Sequence, residues 1–147
     1  MVVEGLVNHT DDFASWDHPL DWYPRVVEQV LEPLWHNQMA HFQKFDWQAS
    51  RLGQWEAVES CSVVIMEGMG SSRSEFCHYL NFSIYIETDQ ELRLKRGIER
   101  DGEEILPLWQ EWMVEEDEYV LRDQPQKYAD LVLSGNTEDM LRISSSF

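Results

Sequence analysis

Positive charge is what this sequence has least of. Eleven Lys and Arg face 28 Asp and Glu in 147 residues, a formal charge of −17. Attraction to DNA, RNA or an anionic membrane would work against the field of the whole molecule. Nucleic acid and membrane are therefore set aside as partners, and any anion site has to be local. Cysteine is scarce as well. Cys61 and Cys77 are too few for a disulfide framework and lack the spacing of a metal site, which leaves two reduced, mostly buried thiols as the expectation. No apolar run approaches the roughly 20 residues of a membrane span, and Glu4 interrupts the start where a signal peptide would build its apolar core. A cytoplasmic location is expected. Repeats, low-complexity stretches and internal linkers are missing too, so residues 1–147 read as a single domain with a loose tail over 136–147.

What is present favours folding. The chain is 43% hydrophobic with seven Trp, far from the composition that keeps chains disordered, and a domain of this size buries roughly 70% of its unfolded surface. Val2–His9 reads as a strand ending at a polar cluster. Val26, Val27, Val30, Leu31, Leu34 and Trp35 recur with helical spacing, and Pro33 predicts a bend. Phe42–Trp47 and Trp55–Val58 read as short strands around a turn at Gly53. Ser62–Met66 has the most buried character of any strand. A helix is expected from Ser71–Ser72 to about Tyr79, a strand over Phe82–Ile86, a helix capped by Asp89, and another opened by Pro107. That last helix places Leu108, Trp109, Trp112, Met113 and Tyr119 on one face, with the Glu111 and Glu115–Glu118 acids on a solvated one. A final strand, Asp130–Leu133, closes at Gly135. Strands alternating with helices argue for an α/β layered fold with a mainly parallel sheet.

Three constellations can carry chemistry. Thr10-Asp11-Asp12-Phe13 ends a strand, where an open α/β sheet places its ligands. One Asp of the pair can accept a proton from a substrate hydroxyl while the other caps the loop or orients a metal-bound water, although Asp is also common where strands simply turn. Glu67-Gly68 puts a carboxylate at the end of the apolar strand, able to hold Mg²⁺ through water, with Gly68 allowing close approach of a ligand. The third is Arg93 to Gly102, which holds four of the eleven basic residues. Arg93, Arg96 and Arg100 fall within about 60° of arc on a helix. Guanidinium forks on one face suit a phosphoryl group, and pairing with Glu91, Glu99 and Glu103 is the plainer alternative. The five His show no metal-ligand spacing, and only His18 stands out as a polar contact. Trp16, Trp22 and Trp47 lie near loops rather than on a core stripe.

In order along the chain, the strand ending Thr10-Asp11-Asp12-Phe13, the loop Trp16-Asp17-His18-Pro19, Val30-Leu31-Glu32-Pro33-Leu34, Phe45-Asp46-Trp47, Glu67-Gly68, Arg93-x-x-Arg96-x-x-x-Arg100-Asp101 and Ala129-Asp130-Leu131-Val132 resemble the uridine kinase and bacterial nucleoside-kinase-like P-loop family. The resemblance runs from about residue 7 to 135. It implies a three-layer α/β fold and transfer of the γ-phosphoryl group of ATP or GTP to the 5′-hydroxyl of uridine or cytidine. By that resemblance Asp11 would be the base, and Asp12, Phe13, Asp17 and His18 would surround the nucleoside, with Asp17 on the ribose. Arg93, Arg96 and Arg100 would form a lid over the phosphates, and Glu67 would stand near Mg²⁺.

The sequence departs from that pattern at its start. The family opens with a strand, a Gly-x-x-x-x-Gly-Lys-Ser/Thr loop and a helix, and none of the three Lys here, at 44, 95 and 127, follows a Gly. The loop supplies the backbone N–H nest and the Lys that hold the phosphates, so its lack predicts impaired transfer. A truncated domain is expected, its strands near Glu67 and Phe82–Ile86 left with open edges. Met1–Leu6, a second copy or a partner chain would complete the sheet. The alternative is a non-catalytic acidic protein that binds a nucleoside, an anion or a partner.

Overall fold

The computed structural model describes residues 5–136. The expectations for Val2–Glu4 and for the tail beyond Asn136 lie outside the described residues. The chain divides after Ser71 into two compact units.

In the first unit, β1 (Gly5–His9) pairs in parallel with β4 (Val63–Glu67), setting His9 opposite Glu67. Between them run a helical segment and a hairpin. Tyr23–Val26 (α1) and Glu32–Trp35 (α2) are α-helical, joined by a π-helical turn over Val27–Leu31. The irregularity expected at Pro33 is thus a widened turn just before it: Pro33 has no N–H to donate and its ring crowds the Gln29 carbonyl, which the wider turn accommodates. The same turn shifts the phase of the apolar stripe. Val26, Val30 and Leu31 are buried while Trp35, expected on that stripe, is exposed.

The hairpin joins β2 (Ala40–Asp46) to β3 (Arg51–Val58), antiparallel, with a register shift between Gln43 and Phe45. Its turn is not at Gly53, which lies within β3. Asp46 Oδ1 accepts the N–H groups of Gln48 (3.1 Å) and Ala49 (2.9 Å), and Ser50 takes φ 49°. Side-chain capping of the turn by Asp46 therefore overrides the glycine as a signal. Phe42 and Ala40 of β2 are buried, and the Phe42 ring stacks on Phe13 at 5.5 Å. The core of this unit is helix against hairpin.

In the second unit, β5 (Ile84–Glu87) pairs in parallel with β6 (Leu131–Ser134). Between them lie α3 (Gln90–Asp101), α4 (Leu106–Asp123) and the short α5 (Pro125–Tyr128). Asp89 stands at the start of α3 without a side-chain capping bond, and Pro107 opens α4 as expected. Gly97 lets α3 and α4 meet: a Cβ there would lie 2.7 Å from the Trp109 indole. Trp112, Met113 and Tyr119 are buried on the expected face of α4.

Three expectations are corrected here. The helix expected from Ser71–Ser72 to Tyr79 is a single 3₁₀ turn, Ser74–Phe76, whose Ser74 N–H donates to Asp123 Oδ2 on α4 (3.2 Å), so a distant carboxylate replaces the expected local cap. Cys77 is exposed and Cys61 half-buried, both free, because each falls in a connection rather than on a core face. The strand expected to be the most buried is not buried. Val63, Val64, Ile65, Ile84 and Ile86 are 38–51% exposed, since among the described residues each parallel sheet has only two strands.

Candidate functional site

The parallel pairing of β1 with β4 brings their carboxyl ends together. His9 Nδ1 and the Glu67 carboxylate are hydrogen-bonded across the register pair, and this bond holds the imidazole above its ordinary value of 6.5. The chain then turns through a 3₁₀ segment, Thr10–Asp12, with Thr10 buried. Gly68, just past β4, has φ +115°, and a Cβ there would lie 2.1 Å from Thr10 Oγ1. The two strand ends approach this closely because residue 68 is glycine.

Asp11 is exposed and Asp12 half-buried in that turn. The backbone carbonyl of Asp11 accepts the Trp47 indole N–H (3.2 Å), tying the Asp11 turn to the hairpin. Asp12 pairs with Lys44 Nζ at 3.3 Å, and Lys44 also reaches Glu56 at 3.4 Å. Partial burial pulls the Lys44 ammonium down, but Asp12 and Glu56 outweigh it and hold it above the ordinary lysine value. Around this edge stand the aromatics Trp16 and Trp47, edge to face at 5.7 Å.

The remaining candidates of the first unit fall in two places. Phe13 belongs to the core, 3% exposed between Phe42 and Trp22 with the Arg25 guanidinium over its ring. Asp17 and His18 are exposed in the following loop, where His18 Nδ1 bonds Asp21 Oδ2 at 3.0 Å. The loop is closed by a short antiparallel bridge between Ser15 and His18.

The arginines belong to the second unit, all on α3. Arg93 donates through Nη1 to Glu116 on α4, with Asp117 4.0 Å from Nη2. Arg96 Nη1 donates to the Gly135 carbonyl at 2.9 Å. Arg100 grips Asp101 through Nε (2.7 Å) and Nη2 (2.9 Å) and lies over the Trp109 ring. The Arg100 hydrogen bonds prevail over partial burial and hold Asp101 below the ordinary carboxylate range, helped by the Trp109 N–H. The face is cationic, and acids already meet part of it.

Sequence reasoning missed three groups. His9 and Lys44 bond the site acids, and only the strand register and the hairpin bring them there. Glu116, expected on a solvated face, is 6% exposed, accepting Arg93 and the Trp112 indole N–H (3.0 Å). Its signal was available: Glu116 follows Trp112 by four residues and precedes Tyr119 by three, on the apolar stripe itself.

A metal or nucleotide can be tested against these groups. Glu67 offers one hard carboxylate, which suits Mg²⁺, an ion that keeps several waters and takes its other ligands from phosphates. No group of three or more His, Cys, Asp or Glu among the described residues converges as a self-sufficient metal site. No helix among them is long and apolar enough to cross a membrane.

Parallel strand pairs with helices in the connections, and acids at the strand ends, define an α/β fold of the P-loop kinase type. The structure of a possible uridine kinase from Bacillus stearothermophilus is similar with a TM-score of 0.61 at 17% identity, covering 88% of this chain and 72% of that one, a likeness of fold. The family model "Phosphoribulokinase / Uridine kinase family" matches residues 25–138, and the chain belongs to that family. It is 29% identical over 90 residues to a uridine kinase of Halobacterium salinarum, an alignment spanning 60% of this chain and 40% of the relative. To a uridine kinase of Lactobacillus helveticus it is 26% identical over 92 residues, spanning 61% and 44%. The matches thus span less than half of these curated relatives.

Proposed function

We propose that this chain carries the acceptor and lid portions of a nucleoside kinase, acting on a small-molecule pyrimidine nucleoside with ATP or GTP as the phosphoryl donor family-wide, and that transfer by the 147-residue chain alone is impaired. The observation that carries the reading is the meeting of the Asp11–Asp12 turn with Glu67 at the carboxyl ends of β1 and β4, in a member of this family. Asp11 accepts the proton of the nucleoside 5′-hydroxyl as that oxygen bonds to phosphorus and the bond to the leaving phosphate breaks. Asp12, held by Lys44, fixes the turn. Asp17 and His18 meet the ribose from the loop, and Phe13 supports the turn from below through the core. Arg93, Arg96 and Arg100 supply the cationic helix for the phosphates. Mg²⁺, when bound beside Glu67, supplies neutralisation of phosphate charge. A preorganised donor to developing charge is worth roughly 10² to 10³ in rate, and the sequence holds no phosphate loop to provide several of them.

The experiment is a radiolabelled transfer assay from ATP to uridine or cytidine with Mg²⁺. The expected rate is indistinguishable from background. Robust turnover that disappears in Asp11→Asn contradicts the impairment and makes the chain a complete kinase.

A second reading is favoured by the exposed apolar strands β4 and β5. In it the protein is a non-catalytic acidic binding protein whose open strand edges take a strand from a partner chain or from another copy. Sedimentation of the purified chain separates the two: self-association, or a stable complex with a partner in the absence of any turnover, supports this reading, and a strictly monomeric chain opposes it.

A further inference from the structure

Three consecutive residues of the acceptor turn are each tied to the hairpin by a different bond. The Asp11 carbonyl accepts the Trp47 indole N–H at 3.2 Å, and the Asp12 carboxylate meets Lys44 Nζ at 3.3 Å. The third tie is indirect and runs through Arg25 on α1. Its Nη2 donates to the Gln43 carbonyl of β2 at 2.6 Å, its Nη1 donates to the Phe13 carbonyl at 3.4 Å, and its Cζ lies 5.4 Å from the Phe13 ring centroid. Gln43 is itself anchored on two further sides, giving its backbone N–H to Gln29 Oε1 (3.2 Å) and its Nε2 to the Gly53 carbonyl of β3 (3.0 Å). One guanidinium therefore joins the residue that follows the Asp pair to an anchored residue of the hairpin.

Arginine is a costly residue at this place. Although the chain has a net charge of −17, Arg25 makes no ion pair among the described residues, and burial alone pulls its guanidinium below the ordinary arginine value. Its Nε is buried without a hydrogen-bond partner. A methionine of similar length would fill the space without either cost. What the planar fork supplies is two donors at a fixed separation, here aimed at carbonyls of two different segments. We propose that Arg25 is a positioning residue, which clamps the Phe13 and Gln43 carbonyls on one guanidinium so that the Asp11 turn and the hairpin move as one body. The role rests on the reading of Asp11 as the acceptor base, whereas the clamp itself needs no nucleoside. The hairpin thereby helps to determine where the Asp11 carboxylate stands.

The test uses the full chain with two readouts: the Trp47 indole N–H signal in a ¹H–¹⁵N NMR spectrum, assigned with Trp47→Phe, and the calorimetric affinity for uridine. Arg25→Met keeps the length of the side chain and removes the donors. It displaces or broadens the Trp47 indole signal and weakens uridine binding about tenfold, the loss expected for a charge-assisted hydrogen bond. Val26→Ala, its neighbour on α1 and 0% exposed, is the control for plain loss of stability. That variant lowers Tm yet leaves the indole signal in place and the affinity within about twofold, as for an uncoupled site. Arg25→Lys keeps the charge on an ammonium that cannot fork, and it behaves as Arg25→Met. If Arg25→Met does not fold, Arg25→Lys is read in its place. An unmoved indole signal in the Arg25 variants, full restoration by Arg25→Lys, or an equal displacement by Val26→Ala overturns the clamp. A displaced signal with unchanged uridine affinity overturns the positioning role. Lack of saturable uridine binding by the unaltered chain contradicts the nucleoside reading, and the indole signal then decides the clamp by itself.

Discussion

The unit up to Ser71 and the unit from Ser72 hold themselves together differently. In the first, a helix lies on a hairpin, and Phe13, Trp22, Val26, Val30 and Phe42 make a core in which the parallel strand β4 has little share. In the second, α4 supplies Trp112, Met113 and Tyr119, while β5 stays largely exposed. Charge follows the same division. The first unit sets acids at a strand end with Lys44 as their cation, and the second sets arginines on a helix with acids around them. In both, the chemistry-bearing groups sit on elements whose stability comes from elsewhere. The parallel strands β4 and β5 contribute little to the buried core.

The largest expected effect breaks that contrast directly. Phe42→Ala in β2 should cost about 3–5 kcal/mol, the range for emptying a buried aromatic site. Ile65→Ala in β4 should cost less than about 1 kcal/mol, because the side chain already meets solvent. Denaturant unfolding of the two variants checks the pair, and equal losses would mean that β4 is covered in solution. Gly68→Ala comes next, at about 1–3 kcal/mol for the positive φ alone, with the Thr10 contact adding to it. Thr10→Ala in the same chain should recover part of that loss.

A smaller effect sharpens the second unit. Asp101 has a depressed pKa in the fold, so its contribution to stability is present above the ordinary carboxylate value of 3.8 and is lost as pH falls through the depressed one. Thermal unfolding across pH should show the unaltered chain above Asp101→Asn at neutral pH, with the gap closing in acid. A gap that widens in acid would mean that Arg100 does not hold the carboxylate.

Much of this was legible along the chain. The order of strands and helices, the Pro107 start of α4 and the acids at the end of β1 follow from local periodicity and turn chemistry, which act over a few residues. What escaped depends on partners distant in sequence. Glu116 looks like one acid in an acidic run until Arg93, 23 residues earlier, is seen beside it. His9 and Glu67 meet because a parallel register pairs them over 58 residues, which no spacing rule encodes. The turn at Asp46–Ser50 was hidden by a glycine that turned out to be ordinary strand. Ser62–Met66 reads as buried because its composition is that of a central parallel strand, and composition records the neighbours a strand is suited to rather than those it has.

The central claim is that the loop and strand end around Asp11 and Asp17 form a nucleoside acceptor site, and equilibrium binding tests it without requiring turnover. Calorimetric titration of uridine into the purified chain should give saturable binding of one molecule per chain, weakened about tenfold in Asp17→Ala, as expected for one lost hydrogen bond to a charged group. Absence of saturable binding, or an affinity unchanged by Asp17→Ala, would contradict it.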